Sequence, residues 1–352
     1  MLRRLIPLVA LASLALPAVA QASFPGRNGN LVVAYDTCEF NPHLRTLSLA
    51  GRDLGPLTKP CEVVGHDPEN EEDVIRAASQ PDWAPDGRRL VFYMRGPEPR
   101  GLYTAAADGT DPQAIPGTAT AYQPSFSPDG RHVAYMDEGA LRTIATDGTD
   151  RRVLRPTPTC GPNRSNCTSM NEPRWSPDGR RIALVVEQFA FGPGRPPAVL
   201  PGIWLVDART GRLVRRLVRS DGGSTPSDVD WSPDGRRLLF RTHYQQDEIK
   251  GGASGGNVYV IRADGRGRRR LVHRERFAET QPRWSPDGRW VAWIGLGFTG
   301  GDVAFSVTPT VYKRRIAGGR PQLVRRLPGP YVEEADFFAP QLSWQPLPPG
   351  PR

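Results

Sequence analysis

Apolar residues along this chain fall into short consecutive runs, LVFYM (90–94), VAYM (133–136), IALVV (182–186), LLF (238–240) and VAWI (291–294), each introduced by the same polar punctuation. Runs of three to five residues are too short for helices, and their consecutive rather than alternating apolar positions predict strands covered on both faces. The punctuation reads DWAPDGRRL (82–90), SFSPDGRHV (125–133), RWSPDGRRI (174–182), DWSPDGRRL (230–238) and RWSPDGRWV (283–291). An aromatic ends one strand, Pro presets the backbone angle of a turn, Asp bonds its own backbone, Gly accepts positive φ, and the apolar strand follows. The equivalent aspartates, Asp86, Asp129, Asp178, Asp234 and Asp287, stand 43, 49, 56 and 53 residues apart, so one unit is repeated and its Asp is expected to be structural.

Each run leads to a second hairpin: LYTAAADGTDPQAI (102–115), LRTIATDGTDRRVL (141–154), IWLVDARTGRLVRRL (203–217), VYVIRADGRGRRRLV (258–272) and VYKRRIAGGRPQLVRRL (311–327). One unit is therefore four antiparallel strands, and radial stacking supplies the two-sided cover that the runs require. The ends complete the count. FPGRNGN, LVVAYD (31–36) and HLRTLSLAGRDLGPLT (43–58) form a unit that lacks its first strand, and QLSWQPL (341–347) is a first strand without a unit. Placing Trp344 in register with Trp83, Phe126, Trp175, Trp231 and Trp284 joins the two ends. The expected fold is all-β: a six-bladed β-propeller with four antiparallel strands per blade, closed by pairing of the N- and C-terminal strands, which removes exposed sheet edges.

Repeats of the W-S-P-D-G-[KR]-x-[IL] type behind an exported leader resemble the TolB-like propeller family, itself similar in pattern to tryptophan-aspartate repeat propellers. The resemblance spans residues 24–347, without the additional amino-terminal domain of the family's namesake. It implies a propeller and leaves the ligand open.

Blade geometry places the short Pro-Asp-Gly and Asp-Gly turns on one face. The other face is expected to carry the variable loops 59–80, 155–172, 187–202, 242–257, 295–310 and 328–340, the usual seat of binding on a rigid scaffold. Three residues before each aromatic stand Gln80, Gln123, Glu172, Asp228, Gln281 and Gln341, a polar ring expected where the inner strands enter the central channel from the loop face. It is the candidate ligand-binding ring; bonding to water and neighbouring backbone is its plainer role. Pro81, Pro124, Pro173 and Pro282 follow it, tolerable on an edge strand. The loop face also gathers Asp67, Glu69, Glu71, Glu72, Asp73, Glu333, Glu334 and Asp336, while Arg88, Arg89, Arg180, Arg181, Arg236 and Arg237 crowd the turns.

Residues 1–22, MLRRLIPLVALASLALPAVAQA, have the layout of a cleavable secretory signal, leaving 23–352 as a single propeller domain in the periplasm or outside the cell. No second apolar span follows, so no transmembrane segment is expected in the remainder. Four cysteines suit an oxidising compartment. Cys160 and Cys167 enclose the turn-rich GPNRSN, and the blade register puts Cys38 and Cys61 on one face of the first blade, so the expected disulfides are Cys38 to Cys61 and Cys160 to Cys167. The net charge of +9 includes Arg3 and Arg4 of the leader, and only three of the 46 Lys and Arg residues are Lys. That excess reads as codon bias, and without a recognition helix nucleic acid is not an expected partner.

Two enzyme-like strings fail on context. GLGFTG (295–300) is followed by strand-like DVAFSV instead of a helix, and GASGG (252–256) sits in a Gly-rich loop without the strand-elbow-helix frame that would expose Ser254. A prolyl-oligopeptidase-like hydrolase is not expected, since the propeller leaves no residues for its catalytic domain. His43, His66, His243 and His273 lie on or near the variable loops and His132 starts a second strand. Some members of the resembled family are similar to lyases with histidine-rich metal sites, so a metal-assisted lyase or hydrolase at the channel mouth is the alternative. The expectation is an exported, monomeric binding or scaffold protein, without catalytic residue, metal or cofactor, that recognises a protein or cell-envelope component.

Overall fold

The computed structural model describes residues 25–36, 42–60, 62–67, 72–96, 99–158, 160, 167–188, 199–220, 224–249, 253–274, 277–300, 305–328, 331–332 and 340–348. Its strands run β1 (Arg27–Asp36), β2 (Pro42–Leu47) and β3 (Asp53–Pro56), then β4 (Glu62–Asp67), β5 (Glu72–Trp83), β6 (Arg89–Arg95), β7 (Gly101–Ala106) and β8 (Gln113–Ala114). Next come β9 (Ala121–Phe126), β10 (His132–Asp137), β11 (Ala140–Ala145) and β12 (Arg152–Arg155), and β13 (Thr168–Trp175), β14 (Arg181–Gln188), β15 (Gly202–Asp207) and β16 (Leu213–Arg219). The chain continues through β17 (Ser224–Trp231), β18 (Arg237–Ile249), β19 (Ala253–Arg262), β20 (Arg269–Val272), β21 (Phe277–Trp284), β22 (Trp290–Gly300), β23 (Phe305–Arg315), β24 (Gln322–Arg326), β25 (Tyr331–Val332) and β26 (Gln341–Leu347). Four-stranded units β9 to β12 and β13 to β16 stand alone, β4 extends the unit β5 to β8, and one parallel bridge, Gly256 to Ala278, links the units β17 to β20 and β21 to β24.

The sixth unit is the terminal one. β26 pairs antiparallel with β1 through Leu31 to Trp344, Val32 to Ser343 and Val33 to Leu342, giving the sheet β26-β1-β2-β3. The FPGRNGN segment belongs partly to this ladder, since Arg27 and Asn28 already face Leu347 and Pro346. The all-β propeller and its terminal pairing thus stand as the repeat arithmetic predicts.

Core packing follows from the consecutive apolar runs. Neighbouring residues of one strand enter different seams: Leu31, Val33 and Tyr35 pack with Ile294 and Val311 of one flanking unit, whereas Val32 and Ala34 pack with Trp83, Leu90 and Phe92 of the other. Six such clusters lie in the six seams between units. Each fully buried Leu, Val or Phe contributes roughly 1.5–3 kcal/mol relative to exposure, so a strand that serves two seams is doubly anchored.

Four turns share one construction. Ser127 Oγ donates to Asp129 Oδ1 at 2.5 Å and accepts from His132 N at 2.9 Å, while Arg131 N donates to the same Asp129 oxygen at 3.0 Å. The pattern recurs around Ser176 with Asp178, Ser232 with Asp234, and Ser285 with Asp287. Partial burial opposes ionisation of Asp129 and Asp234, but these hydrogen bonds hold both below the usual aspartate value. The arginine that follows can reach across the seam: Arg89 stacks over Phe126 and Arg237 over Trp284.

The loop face departs from the sequence reading. Segments expected to be irregular continue the ladders: β18 and β19 pair out to Ile249 with Ala253, and β22 and β23 out to Gly300 with Phe305. Within 59–80, β4 pairs with the start of β5, and in 328–340 β25 pairs with β23. Ser254 is therefore a strand residue opposite Glu248 rather than part of a loop. These stretches, QQDEI and GLGFTG among them, carry little of the apolar run pattern that marks the other strands, although Leu296 of GLGFTG is buried in the seam with the terminal unit.

Candidate channel site

The six inner strands β5, β9, β13, β17, β21 and β26 surround the channel, and each repeat delivers two polar positions to it. The outer position is the expected ring. In Gln80, Gln123, Glu172, Asp228 and Gln281 the backbone takes positive φ, between 52° and 56°. Strand register breaks at these points, between Ser79 and Asp82, Asn171 and Arg174, Ser227 and Asp230, and Thr280 and Arg283. A left-handed non-glycine residue costs about 1 kcal/mol, and here it turns the residue's own N–H toward the preceding unit.

That N–H is captured. Gln341 Oε1 accepts from Gln80 N, Gln80 Oε1 from Gln123 N at 2.6 Å, and Gln123 Oε1 from Glu172 N at 2.8 Å. Glu172 Oε2 then accepts from Val229 N at 3.3 Å, and Asp228 Oδ2 from Gln281 N at 3.1 Å. Five of the six ring residues thus latch one unit to the next through an oxygen. At the last seam Arg283 takes over, with Nε donating to Leu342 O at 2.8 Å and Nη2 to Gln281 Oε1 at 2.8 Å. The ring lies below the channel entrance, because four strand residues precede Glu172, Asp228 and Gln281 on the loop side and eight precede Gln80. Only Gln341 begins its strand as expected. The difference arises because the inner strands extend further toward the loop face than the apolar pattern indicates.

Charge within the ring is concentrated on one side. Burial, reinforced by the neighbouring Asp228 charge, pushes Glu172 up to about 7. Burial opposes ionisation of Asp228 too, yet Arg241, 3.0 Å away, and the Gln281 N–H hold it below the ordinary value. Thr280 Oγ1 donates to the same Asp228 oxygen at 2.9 Å.

The deeper position, immediately before each aromatic, is Asp82, Ser125, Arg174, Asp230, Arg283 and Ser343. Sequence reasoning passed over these residues, although their alternation of acid, hydroxyl and arginine is visible in the aligned repeats. They form a second set of latches: Asp82 accepts from Phe126 N at 2.8 Å, Asp230 from Trp284 N at 2.7 Å, and Arg174 Nη1 donates to Pro124 O at 3.2 Å. Burial raises Asp82 and lifts Asp230 to about 6, against the pull of Arg174 and Arg283. With their aromatics these residues leave a space of about 40 Å³, room for two or three waters but not for an organic ligand. At the level of this deeper set the channel has no room for an organic ligand, while the turn-side mouth opens to about 700 Å³ among Pro177, Asp178, Ser232, Pro233 and Asp234.

The remaining candidates are dispersed. His43 is buried beside Tyr35, His66 and His273 are exposed, and His132 pairs with Asp150 at 3.2 Å on the turn side. Among the described residues no group of three or more His, Cys, Asp or Glu side chains is disposed to hold a metal. Cys160 and Cys167 form a disulfide between the exit of β12 and the start of β13. Cys38 and Cys61, the leader 1–22, and Glu69, Glu71, Glu333, Glu334 and Asp336 lie outside the described residues, as do the side chains of Asp67, Glu72, Asp73, His243 and Ser254. No helix among the described residues is long and apolar enough to cross a membrane.

Comparison with known proteins agrees with the fold. No family model matches the chain. The structure of a protein assigned as TolB from Agrobacterium tumefaciens superposes with a TM-score of 0.53 at 17% identity, covering 86% of this chain and 91% of that one. Among curated proteins the chain is 29% identical over 120 residues to the uncharacterized peptidase YuxL of Bacillus subtilis, covering 34% of this chain and 16% of that protein. It is 23% identical over 260 residues to dipeptidyl-peptidase 5 of Porphyromonas gingivalis, covering 60% of this chain and 36% of that protein. The chain therefore spans about a third or less of the length of these curated relatives.

Proposed function

We propose that residues 23–352 act as one TolB-like propeller, exported by the leader 1–22, which binds a protein or cell-envelope component across its loop face and the ring beneath it. The observation that carries this reading is the unequal treatment of the two faces. Turn-side polar groups are consumed by the turns themselves, whereas the loop side projects hairpins of unequal length and exposes Val63 and Leu200. The ring contributes in a limited way. Its oxygens are engaged between units, while the amide nitrogens of the half-buried Gln80, Gln123 and Gln341 have no protein partner among the described residues and can donate to carbonyl or carboxylate groups of a ligand. The buried Cys167 disulfide fits an oxidising compartment.

The peptidase names of the curated relatives belong to proteins of which this chain spans 16% and 36%, and catalysis is not part of the reading. The test is capture from an envelope extract by the full exported chain and three variants with matched melting curves. Gln123→Glu keeps the latch oxygen but removes the donors; Val63→Asp with Leu200→Asp alters the loop face; Asp147→Asn alters the turn face. Capture reduced by the first two and unchanged by the third is expected. Equal capture by all, or loss only with the turn variant, removes the basis of the proposal.

A further inference from the structure

The seam between the terminal unit and the unit β5 to β8 holds a cavity of about 280 Å³ that the channel does not share. Its walls are apolar: Ala78, Phe92, Met94 and Tyr103 line it, all buried, with Phe92 and Tyr103 stacked at a centroid distance of 6.0 Å. Two cations belong to the same lining, Arg76 on β5 and the exposed Lys59 just beyond β3. Arg76 stands out, together with Arg155 of β12, which is likewise half-buried with its Nε sealed from solvent and no side-chain partner among the described residues. The Arg76 side chain is half-buried, its Nε is sealed from solvent, and it makes no hydrogen bond or ion pair among the described residues. Other inward-facing arginines of this protein are engaged, Arg174 and Arg283 by backbone carbonyls and Arg241 by Asp228.

Sealing Nε from water without a partner costs free energy, and the terminal nitrogens of the same guanidinium, which are not sealed, remain open to an anion. The planar fork of the guanidinium matches a carboxylate through two parallel hydrogen bonds, and the desolvated setting makes that pairing stronger than at an open surface. The apolar walls require that the remainder of the anion be hydrophobic, and the volume sits at the small end of ligand pockets. A phosphate dianion suits the place poorly, because it brings no apolar body to cover Phe92, Met94 and Tyr103. We propose that this seam is a binding site for a small monocarboxylate with an aromatic or branched aliphatic body, its carboxylate held by Arg76 and its body lying against Phe92, Met94 and Tyr103. The site is separate from the loop-face reading and stands or falls independently of it.

The experiment is isothermal titration of the full chain with phenylacetate and 4-methylpentanoate, alongside phenylacetamide, acetate and inorganic phosphate. At least one of the two apolar carboxylates is expected to bind, with the neutral amide, acetate and phosphate each at least tenfold weaker. Arg76→Gln should weaken carboxylate binding by at least tenfold while leaving the circular dichroism melt in place. Equal binding of phenylacetate and phenylacetamide, preference for phosphate, carboxylate binding unchanged in Arg76→Gln, or no binding of either apolar carboxylate overturns the proposal. The amide comparison is made on the unaltered protein, so it decides the matter even if the variant folds poorly.

Discussion

On the turn face, four turns close through the same Ser, Asp and backbone hydrogen bonds, and a fifth repeats them with Ala84 in place of Ser. On the loop face, the hairpins β4 to β5, β18 to β19 and β22 to β23 share neither length nor sequence, and they project beyond the apolar seams. The contrast shows where the sequence is constrained by folding and where it is left free to vary. A turn that must seat an aromatic between two units and start the next strand has few solutions. A hairpin that extends its backbone ladder toward the loop side has many.

The sharpest way to break this comparison is at the closure, which the turn-side geometry serves. Deleting residues 340–352 removes β26, opens the seams on both sides of β1, and should abolish cooperative thermal unfolding, a loss on the order of the whole domain stability, about 5 kcal/mol or more. Gly87→Val is a smaller version of the same damage. A Cβ at Gly87 would lie 1.6 Å from Pro346 O of the closing strand, so destabilisation of about 3 kcal/mol is expected in urea melts. Gly318, also at positive φ but with nothing within 4 Å, should lose only about 1 kcal/mol on conversion to Ala.

Next in size is a pH effect seated in the ring. Glu172 ionises at about 7 in the fold, against an ordinary value of 4.5, so between those limits the native state keeps a proton that the unfolded chain has released. Stability should therefore fall as pH rises through that window. Glu172→Gln keeps an acceptor for Val229 N and should flatten the slope, leaving the variant about 1–3 kcal/mol better off, relative to wild type, at pH 8 than at pH 4.5. A parallel pH profile of melting temperature in the two proteins would show that the slope originates elsewhere. Ser176→Ala deletes the hydroxyl bonds to Asp178 and Arg181 N and should cost about 1 kcal/mol. Smallest is the loop face, where Val63→Asp and Leu200→Asp should stay within about 0.5 kcal/mol of wild type, since both side chains are already exposed.

How far the sequence could be read follows the same division. The placement of Trp344 beside Leu31 was legible because the repeat forces the last aromatic strand into the first unit. Consecutive apolar runs announced two-sided burial, and Val32 and Val33 do enter different seams. The ring positions were legible, but their geometry was not: positive φ at Gln80 or Glu172 leaves no compositional mark, and a side-chain oxygen that serves the neighbouring unit's backbone looks the same in sequence as one offered to a ligand. The deeper charges Asp82, Arg174, Asp230 and Arg283 hid beside dominant aromatics. The extended hairpins hid because QQDEI and GASGG carry no apolar run to mark them as strands.

The claim that the loop face is the working face can be tested directly by installing a photoreactive benzophenone side chain singly at Val63, Leu200 or Asp147 and irradiating each folded protein with envelope extract. Adducts of one common component from Val63 and Leu200, and none from Asp147, are the predicted result. Adducts from Asp147 alone, or from none of the three positions, would contradict the account.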